Sequence, residues 1–185
     1  MDKKLIFGFT GQIASGKGTA VKYLQEKYGG KNLRFSDSLR DAMNRLYIEI
    51  NRDNIQRLSL ILRQEFGQDL FSKIIAGDVK KSDQNLILID GVRRPMDIKY
   101  LRDISGFVLV ALPVDTKIRY ERVVARNENI GDGEKTWEQF LEEEKADTEV
   151  TIPAAMAEAD EVVENNTTLD DFYKKLDDLI NKYKK

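Results

Sequence analysis

Nine residues near the N-terminus, Gly11-Gln12-Ile13-Ala14-Ser15-Gly16-Lys17-Gly18-Thr19, have the types and spacing that hold a polyanion. They fit the G-x-x-x-x-G-K phosphate-loop pattern. The glycines let the backbone curl so that successive N–H groups point inward, and a following helix adds the partial positive charge of its N-terminus. Lys17 would then reach the outer phosphates. A glycine-rich turn alone could bind nothing, so its flanks decide the reading. Leu5-Ile6-Phe7-Gly8-Phe9 reads as a buried strand delivering the loop, and Val21, Leu24 and Tyr28 recur at helical spacing after it. Strand, loop, lysine and helix together predict a site for a nucleoside triphosphate.

Three further groups carry candidate chemistry. In Phe35-Ser36-Asp37-Ser38-Leu39-Arg40, Ser36 or Asp37 can cap a helix. Arg40 then falls in the first helical turn, where the helix dipole disfavours a cation unless an anion is near. In Leu86-Ile87-Leu88-Ile89-Asp90-Gly91-Val92-Arg93-Arg94-Pro95, an apolar strand ends in an acid placed to meet a metal-coordinated water. Of the two arginines that follow, either has the planar fork that meets phosphate oxygens in pairs. Pro113-Val114-Asp115-Thr116 leads into a helix with Arg119, Arg122 and Arg126 on one face. Like charges at this spacing repel unless something answers them. Asp115 can pair with Arg119, whereas the sequence offers no obvious local partner for Arg122 and Arg126, which are candidates for an anion.

The elements that must position these groups alternate. The pattern predicts strand 5–10, helix 16–28, strand 32–35, a helix-rich segment to about residue 80, and strand 85–90. A helix near 96–103, strand 107–112, helix 115–126, a polar loop at 127–135, a strand near 161–164 and a last helix from 168 complete the order. Leu39, Ala42, Met43, Leu46, Tyr47 and Ile50 form one apolar stripe, and Leu169, Phe172, Tyr173, Leu176, Leu179, Ile180 and Tyr183 another. Strands alternating with helices imply a parallel sheet covered on both faces, with its ligand at the carboxyl ends of the strands. Segments 38–80 and 127–149 interrupt the alternation and are expected to form flaps over the site. Thr136 and Gln139 have capping-box spacing, and Glu142-Glu143-Glu144 reads as a solvated face.

Composition narrows the chemistry further. The 185 residues suit one domain with a real core. A net charge of −2 argues against a whole-surface nucleic-acid binder. Without cysteine there is no disulfide or thiolate metal site, and without histidine no imidazole base. Neither a membrane-length apolar run nor a signal-peptide pattern occurs, so a soluble, cytoplasmic protein is expected. Transfer of a phosphoryl group onto an existing phosphate tolerates the missing histidine, because that acceptor is already ionised and needs positive charge more than a base.

The run Gly16-Lys17-Gly18-Thr19 resembles the nucleoside monophosphate kinases, of which adenylate kinase is the best known. Gly18 stands where many phosphate-loop proteins carry a magnesium-ligating Ser or Thr. In the resembled family the ion is held largely through water, which leaves Asp90 and Thr19 as candidates for its shell. Asp37, Leu39 and Arg40 match a G-D-x-L-R segment whose arginine grips the acceptor phosphate. The strand end resembles D-G-x-P-R of adenylate kinases, with the proline displaced, and D-G-x-R of adenylate-kinase-related archaeal proteins. The first alignment makes Arg94 the phosphate ligand and the second makes it Arg93. Arg119, Arg122 and Arg126 resemble the helix entering the lid, where one arginine lies near the base and another near the transferred group. In the second lid arm Lys145, before Asp147, stands in place of an arginine. Ala159-Asp160-Glu161-Val162-Val163-Glu164-Asn165 resembles the A-D-x-x-I-x-N closing strand of dephospho-coenzyme A kinases and their relatives. There the following backbone flanks adenine, to which Asn165 would contribute, although an asparagine is also common in a turn before a helix.

The resemblance implies a three-layer α/β/α phosphate-loop fold with a five-stranded parallel sheet, a helical acceptor-binding segment and a lid. ATP and magnesium would be bound at Gly11–Thr19. The acceptor would be a nucleoside or deoxynucleoside monophosphate, lined by residues such as Tyr47, Arg57 and Arg63, and the protein a monomer or homodimer. Two alternatives stay open. A dephospho-coenzyme A kinase would use Asp37 as base for a ribose hydroxyl, although that family's proline-leucine and histidine-proline elements have no match here. A nucleotide-binding switch or ATPase module would ordinarily keep Ser or Thr at position 18.

Overall fold

Strands that are apolar along their whole length, not alternating, form the middle of a sheet buried on both faces. In the computed structural model, which describes residues 4–127, 131–146 and 149–184, five strands make one parallel sheet. They are β1 (Leu5–Thr10), β2 (Lys31–Arg34), β3 (Leu86–Val92), β4 (Phe107–Ala111) and β5 (Glu161–Val162), in the spatial order β2-β3-β1-β4-β5. The helices are α1 (Lys17–Tyr28), α2 (Asp37–Arg45), α3 (Arg52–Phe66), α4 (Leu70–Lys81), α5 (Thr116–Arg126), α6 (Trp137–Glu143), α7 (Ile152–Ala157) and α8 (Leu169–Tyr183). This is the three-layer α/β/α arrangement that the alternation predicts. No helix among the described residues is long and apolar enough to cross a membrane.

Side chains alternate across each strand, so the two sheet faces carry separate cores. Phe7, Phe9, Leu88 and Val110 pack under α1 and α8, against Leu24, Phe172 and Leu176. Ile6, Ile87, Ile89 and Leu109 pack on the other face against Ile75 and Val79 of α4, with Ile98 and Leu101. Each such side chain contributes about 1.5–3 kcal/mol by leaving water. The central strand β1 is thereby fixed on both sides, and its carboxyl end launches the phosphate loop.

The neighbouring strand is adjusted at the same end. Phe9 lies opposite Asp90, but Thr10 lies opposite Val92, so Gly91 is an extra residue in β3. Gly91 has φ of +89°, a backbone conformation that suits glycine. This bulge turns the chain as it leaves the sheet and re-aims the residues that follow it.

Two expectations change. The stripe expected over 39–50 ends early, because α2 stops at Arg45 and Leu46 and Tyr47 are 61% and 90% exposed. The amide of Ile48 donates to the carbonyl of Met43 (2.9 Å) and that of Tyr47 to Asn44 (3.2 Å), with Tyr47 at φ +55°. That is the Schellman ending usually built on glycine, here carried by an exposed tyrosine. The expected helix near 96–103 is a single 3₁₀ turn at Pro95–Ile98 followed by further turns, with the Asp97 carboxylate capping its start through the amides of Arg93 and Arg94.

Candidate active site

Gly16 and Asn165 set the shape of the loop. Gly16 has φ of +98°, and a Cβ there would lie 2.5 Å from Nδ2 of Asn165. Asn165 is buried, and its Nδ2 donates to the carbonyl of Ser15 at 3.0 Å. Arg122 spans the same joint, donating to the Asn165 carbonyl (2.8 Å), to Asn165 Oδ1 (3.3 Å) and to the Ala14 carbonyl (3.5 Å). The segment after β5 thus braces the loop from behind. Gly16→Ala is expected to add about 1–2 kcal/mol of left-handed strain and to cost about 1 kcal/mol more for the displaced Asn165 bond. A melting midpoint lower by roughly 5–10 °C is expected by thermal denaturation, with nucleotide binding lost.

Lys17 points back into the loop, its Nζ donating to the carbonyls of Gly11 (2.5 Å) and Gln12 (3.0 Å). Burial pushes its pKa down to about 8, against the opposing pull of Asp90 and Glu149; Arg93 and Arg126 push it the same way as burial. Asp90 and the exposed Thr19 also face the cavity. Gly11 is buried and does not line the cavity, whereas Ile13, Ala14, the buried Ser15, Gly16 and Gly18 do.

The returning arm of the 127–149 segment is fastened to this loop by two carboxylates. Glu144 accepts from Nε2 of Gln12 (3.1 Å) and pairs with Arg119, whose Nε donates to the Val114 carbonyl (3.1 Å). Arg119 is only 1% exposed, so it is a core cation bound to Glu144 and not surface dressing paired with Asp115. Glu144 accordingly leaves the solvated face expected for residues 142–144. Glu149 accepts from the amide of Ile13 (3.3 Å) with one oxygen and from Arg93 (3.3 Å) with the other. Lys145 lies outside, paired with Glu142, and does not line the cavity. Asp147 falls outside the described residues, as do 128–130 of the same segment.

One cavity of about 1370 Å³ runs from the loop to the start of α3, and its wall includes Ser36, Arg40, Asn51, Arg52, Gln56 and Arg93. Arg122 and Arg126 also line it. Arg94 does not; it reaches Oε1 of Gln68 at 3.4 Å. Asp37 is turned away, accepting from the amide of Arg34 at 3.0 Å. Of the residues expected in the acceptor pocket, Tyr47 and Arg57 stand exposed elsewhere, and Arg63 is buried against Asp97.

Arg52, Glu149 and Asp97 were not legible as site residues in the same way. Arg52 and Glu149 lie in no motif, and only folding brings them to the cavity. Asp97 did leave a trace, since Pro95 at a first helical position with an acid two residues later is a helix-start pattern.

Comparison with known proteins agrees with this fold. The AAA domain model matches residues 10–141. A UPF0200 protein of Thermococcus kodakarensis is 30% identical over 182 residues, which cover 94% of this chain and 97% of the relative. Among solved structures, a shikimate kinase from Bacteroides thetaiotaomicron has a TM-score of 0.62 at 12% identity, covering 96% of this chain and 97% of that one. A gluconokinase from Sinorhizobium meliloti has a TM-score of 0.57 at 14% identity, covering 98% and 97%. At those identities the likeness is one of fold, and the fold is that of the phosphate-loop kinases. The domain match over most of the length, with a relative aligned across nearly the whole chain, makes this protein an AAA-domain protein and a member of the UPF0200 family.

Proposed function

We propose that this protein is an ATP-dependent kinase that transfers the terminal phosphoryl group to the phosphate of a nucleoside or deoxynucleoside monophosphate. The products would be ADP and the corresponding diphosphate. The observation that carries this reading is the sharing of one cavity by the phosphate loop and three arginines from outside it, Arg40, Arg52 and Arg93. Guanidinium groups are suited to a second phosphate, which needs no base. Segment 38–80 would serve as the acceptor-binding part of a single kinase domain, and 127–149 as its lid.

Lys17 would exchange the carbonyls of Gly11 and Gln12 for the outer phosphates, and Arg126 would answer charge on the transferred group. Arg122 and Asn165 would keep the loop in shape behind them. Closure of the lid would exclude water that otherwise hydrolyses ATP. The residues present fit a magnesium ion that keeps most of its own water. Among the described residues no group of three acids could cage a cation, whereas Asp90, with a carboxylate, and Thr19, with a hydroxyl, both line the cavity. Bound with ATP, the ion would supply neutralisation of charge on the β- and γ-phosphate oxygens.

A second reading has one observation in its favour. A hydroxyl acceptor would need a base, and Glu149 is a carboxylate in the cavity beside the loop, whereas Asp37 is engaged elsewhere. Incubation with ATP, magnesium and a panel of ribo- and deoxyribonucleoside monophosphates plus dephospho-coenzyme A separates the readings. ADP release and phosphorylated product would be followed together. Turnover on one or a few monophosphates is expected. Product from dephospho-coenzyme A alone would favour the hydroxyl acceptor, and ATP hydrolysis without acceptor preference would leave an ATPase module.

A further inference from the structure

A buried carboxylate behind the cavity holds the chain at the point where Arg93 enters it. Oδ2 of Asp97 accepts from the amides of both Arg93 (3.1 Å) and Arg94 (3.0 Å). Its Oδ1 accepts from Nη2 of Arg63 at 3.1 Å. Asp97 is 3% exposed and Arg63 8%. Arg63 is fixed in turn, with Nη1 donating to the Gln68 carbonyl (2.6 Å) and its guanidinium over the Phe71 ring at 4.6 Å.

Such a pair is a poor device for stability alone, because desolvation of both charges offsets their attraction and an apolar pair could replace it. Its directional bonds do something an apolar pair cannot. One oxygen fixes two consecutive backbone amides immediately after the Gly91 bulge, and the other fixes that turn to α3. Arg63 stands near the end of α3, and Arg52, which lines the cavity, stands at its start, about 16 Å away along the helix axis. The same helix therefore presents Arg52 to the cavity and holds, through Asp97, the backbone from which Arg93 reaches the cavity.

We infer that Arg63 and Asp97 are positioning residues that set Arg93 and Arg52 in register for the acceptor's anionic group, and that they act on the acceptor side of the reaction and not on ATP. The inference rests on the kinase reading above. The acceptor would be a phosphomonoester whose oxygens meet two guanidinium groups held at a fixed separation. Loss of the buried pair would let the Arg93 turn and α3 move independently and weaken a two-point grip, while Arg63 and Asp97 themselves bond to no residue of the phosphate loop.

The test uses full-length protein and whichever monophosphate the panel identifies. Acceptor KM and kcat would be measured for Asp97→Asn, Arg63→Met and Arg63→Lys, beside ATP affinity by direct titration and a thermal melt. Arg63→Met is expected to raise acceptor KM at least tenfold with ATP affinity within about twofold of wild type. Arg63→Lys, which keeps the charge, is expected to recover most of the loss. If Asp97→Asn does not fold, the two Arg63 variants carry the comparison. Amide hydrogen exchange at Arg93 and Arg94 should quicken in Arg63→Met, a change that mere loss of helix packing elsewhere would not localise. Unchanged acceptor KM, or ATP affinity falling in parallel with it, would overturn the inference while leaving the kinase reading intact. Wild-type protein that phosphorylates no monophosphate would sink that reading, and this inference with it.

Discussion

Lys17→Ala is expected to reduce phosphoryl transfer by about a thousandfold or more, the scale seen when a positive group aimed at developing phosphate or oxyanion charge is removed. The ammonium is held in the protein's own loop, on the carbonyls of Gly11 and Gln12, with burial bringing its pKa down to about 8. A bound triphosphate adds negative charge beside it and favours the protonated form. The sign follows directly. Below about pH 8 the free protein already carries the charge that ATP needs, so affinity is flat there. Above it, binding must be accompanied by proton uptake, and the dissociation constant should rise about tenfold per pH unit towards the ordinary lysine value. Lys17→Arg, whose charge does not titrate in this range, should remove that slope while still binding more weakly because the fork does not fit a lysine's place. Equilibrium titration of ATP across this range reads both effects. A profile for wild type that stays flat through about pH 9 would mean that the Lys17 ammonium keeps its proton in the free loop and that burial does not lower its pKa there.

What the sequence revealed of this site follows a physical line. The phosphate loop is local, since its strand, turn and helix are consecutive residues, and backbone amides do the binding whatever the intervening side chains are. The parallel sheet was legible because β1, β3 and β4 each carry an apolar run, Leu5–Phe9, Leu86–Ile89 and Phe107–Ala111, as burial on both faces requires. Where reading failed, a distant partner decided the outcome. Arg119 and Glu144 are each surface residues by local pattern, and only their meeting across 25 positions makes one a core cation and the other its answer. Arg63 looked like an acceptor ligand because an arginine in a helical insertion over a phosphate site suggests one. Asp97 takes it out of the cavity instead. The α2 stripe was misjudged for a different reason. Leu46 and Tyr47 keep helical spacing, but a left-handed tyrosine ends the helix without the glycine that usually announces such a stop.

The adjacent arginines after β3, equivalent in sequence, should separate sharply by mutation. Arg93 lines the cavity and pairs with Glu149, whose other oxygen takes the Ile13 amide of the phosphate loop. It therefore stands at the meeting of donor and acceptor sides. On the proposed function, a triphosphate entering the loop would bring negative charge towards Glu149 and weaken that carboxylate's hold, which would free the Arg93 guanidinium for an acceptor phosphate. Arg94 instead touches Gln68 and contributes its backbone amide to Asp97, a bond that survives truncation of the side chain. Arg93→Ala is expected to lower kcat/KM for the acceptor by roughly a hundredfold to a thousandfold, as loss of a charge-assisted bidentate phosphate contact in a closed site implies. Arg93→Lys should restore only part of it, because a point charge replaces a planar fork. Arg94→Ala is expected to stay within a few-fold of wild type, its exposed bond to Gln68 being worth about 1 kcal/mol. Side-by-side steady-state kinetics on the same acceptor decide the matter. A deficit in Arg94→Ala as deep as that in Arg93→Ala would require the turn after β3 to rotate on ligand binding, exchanging the places of the two guanidinium groups.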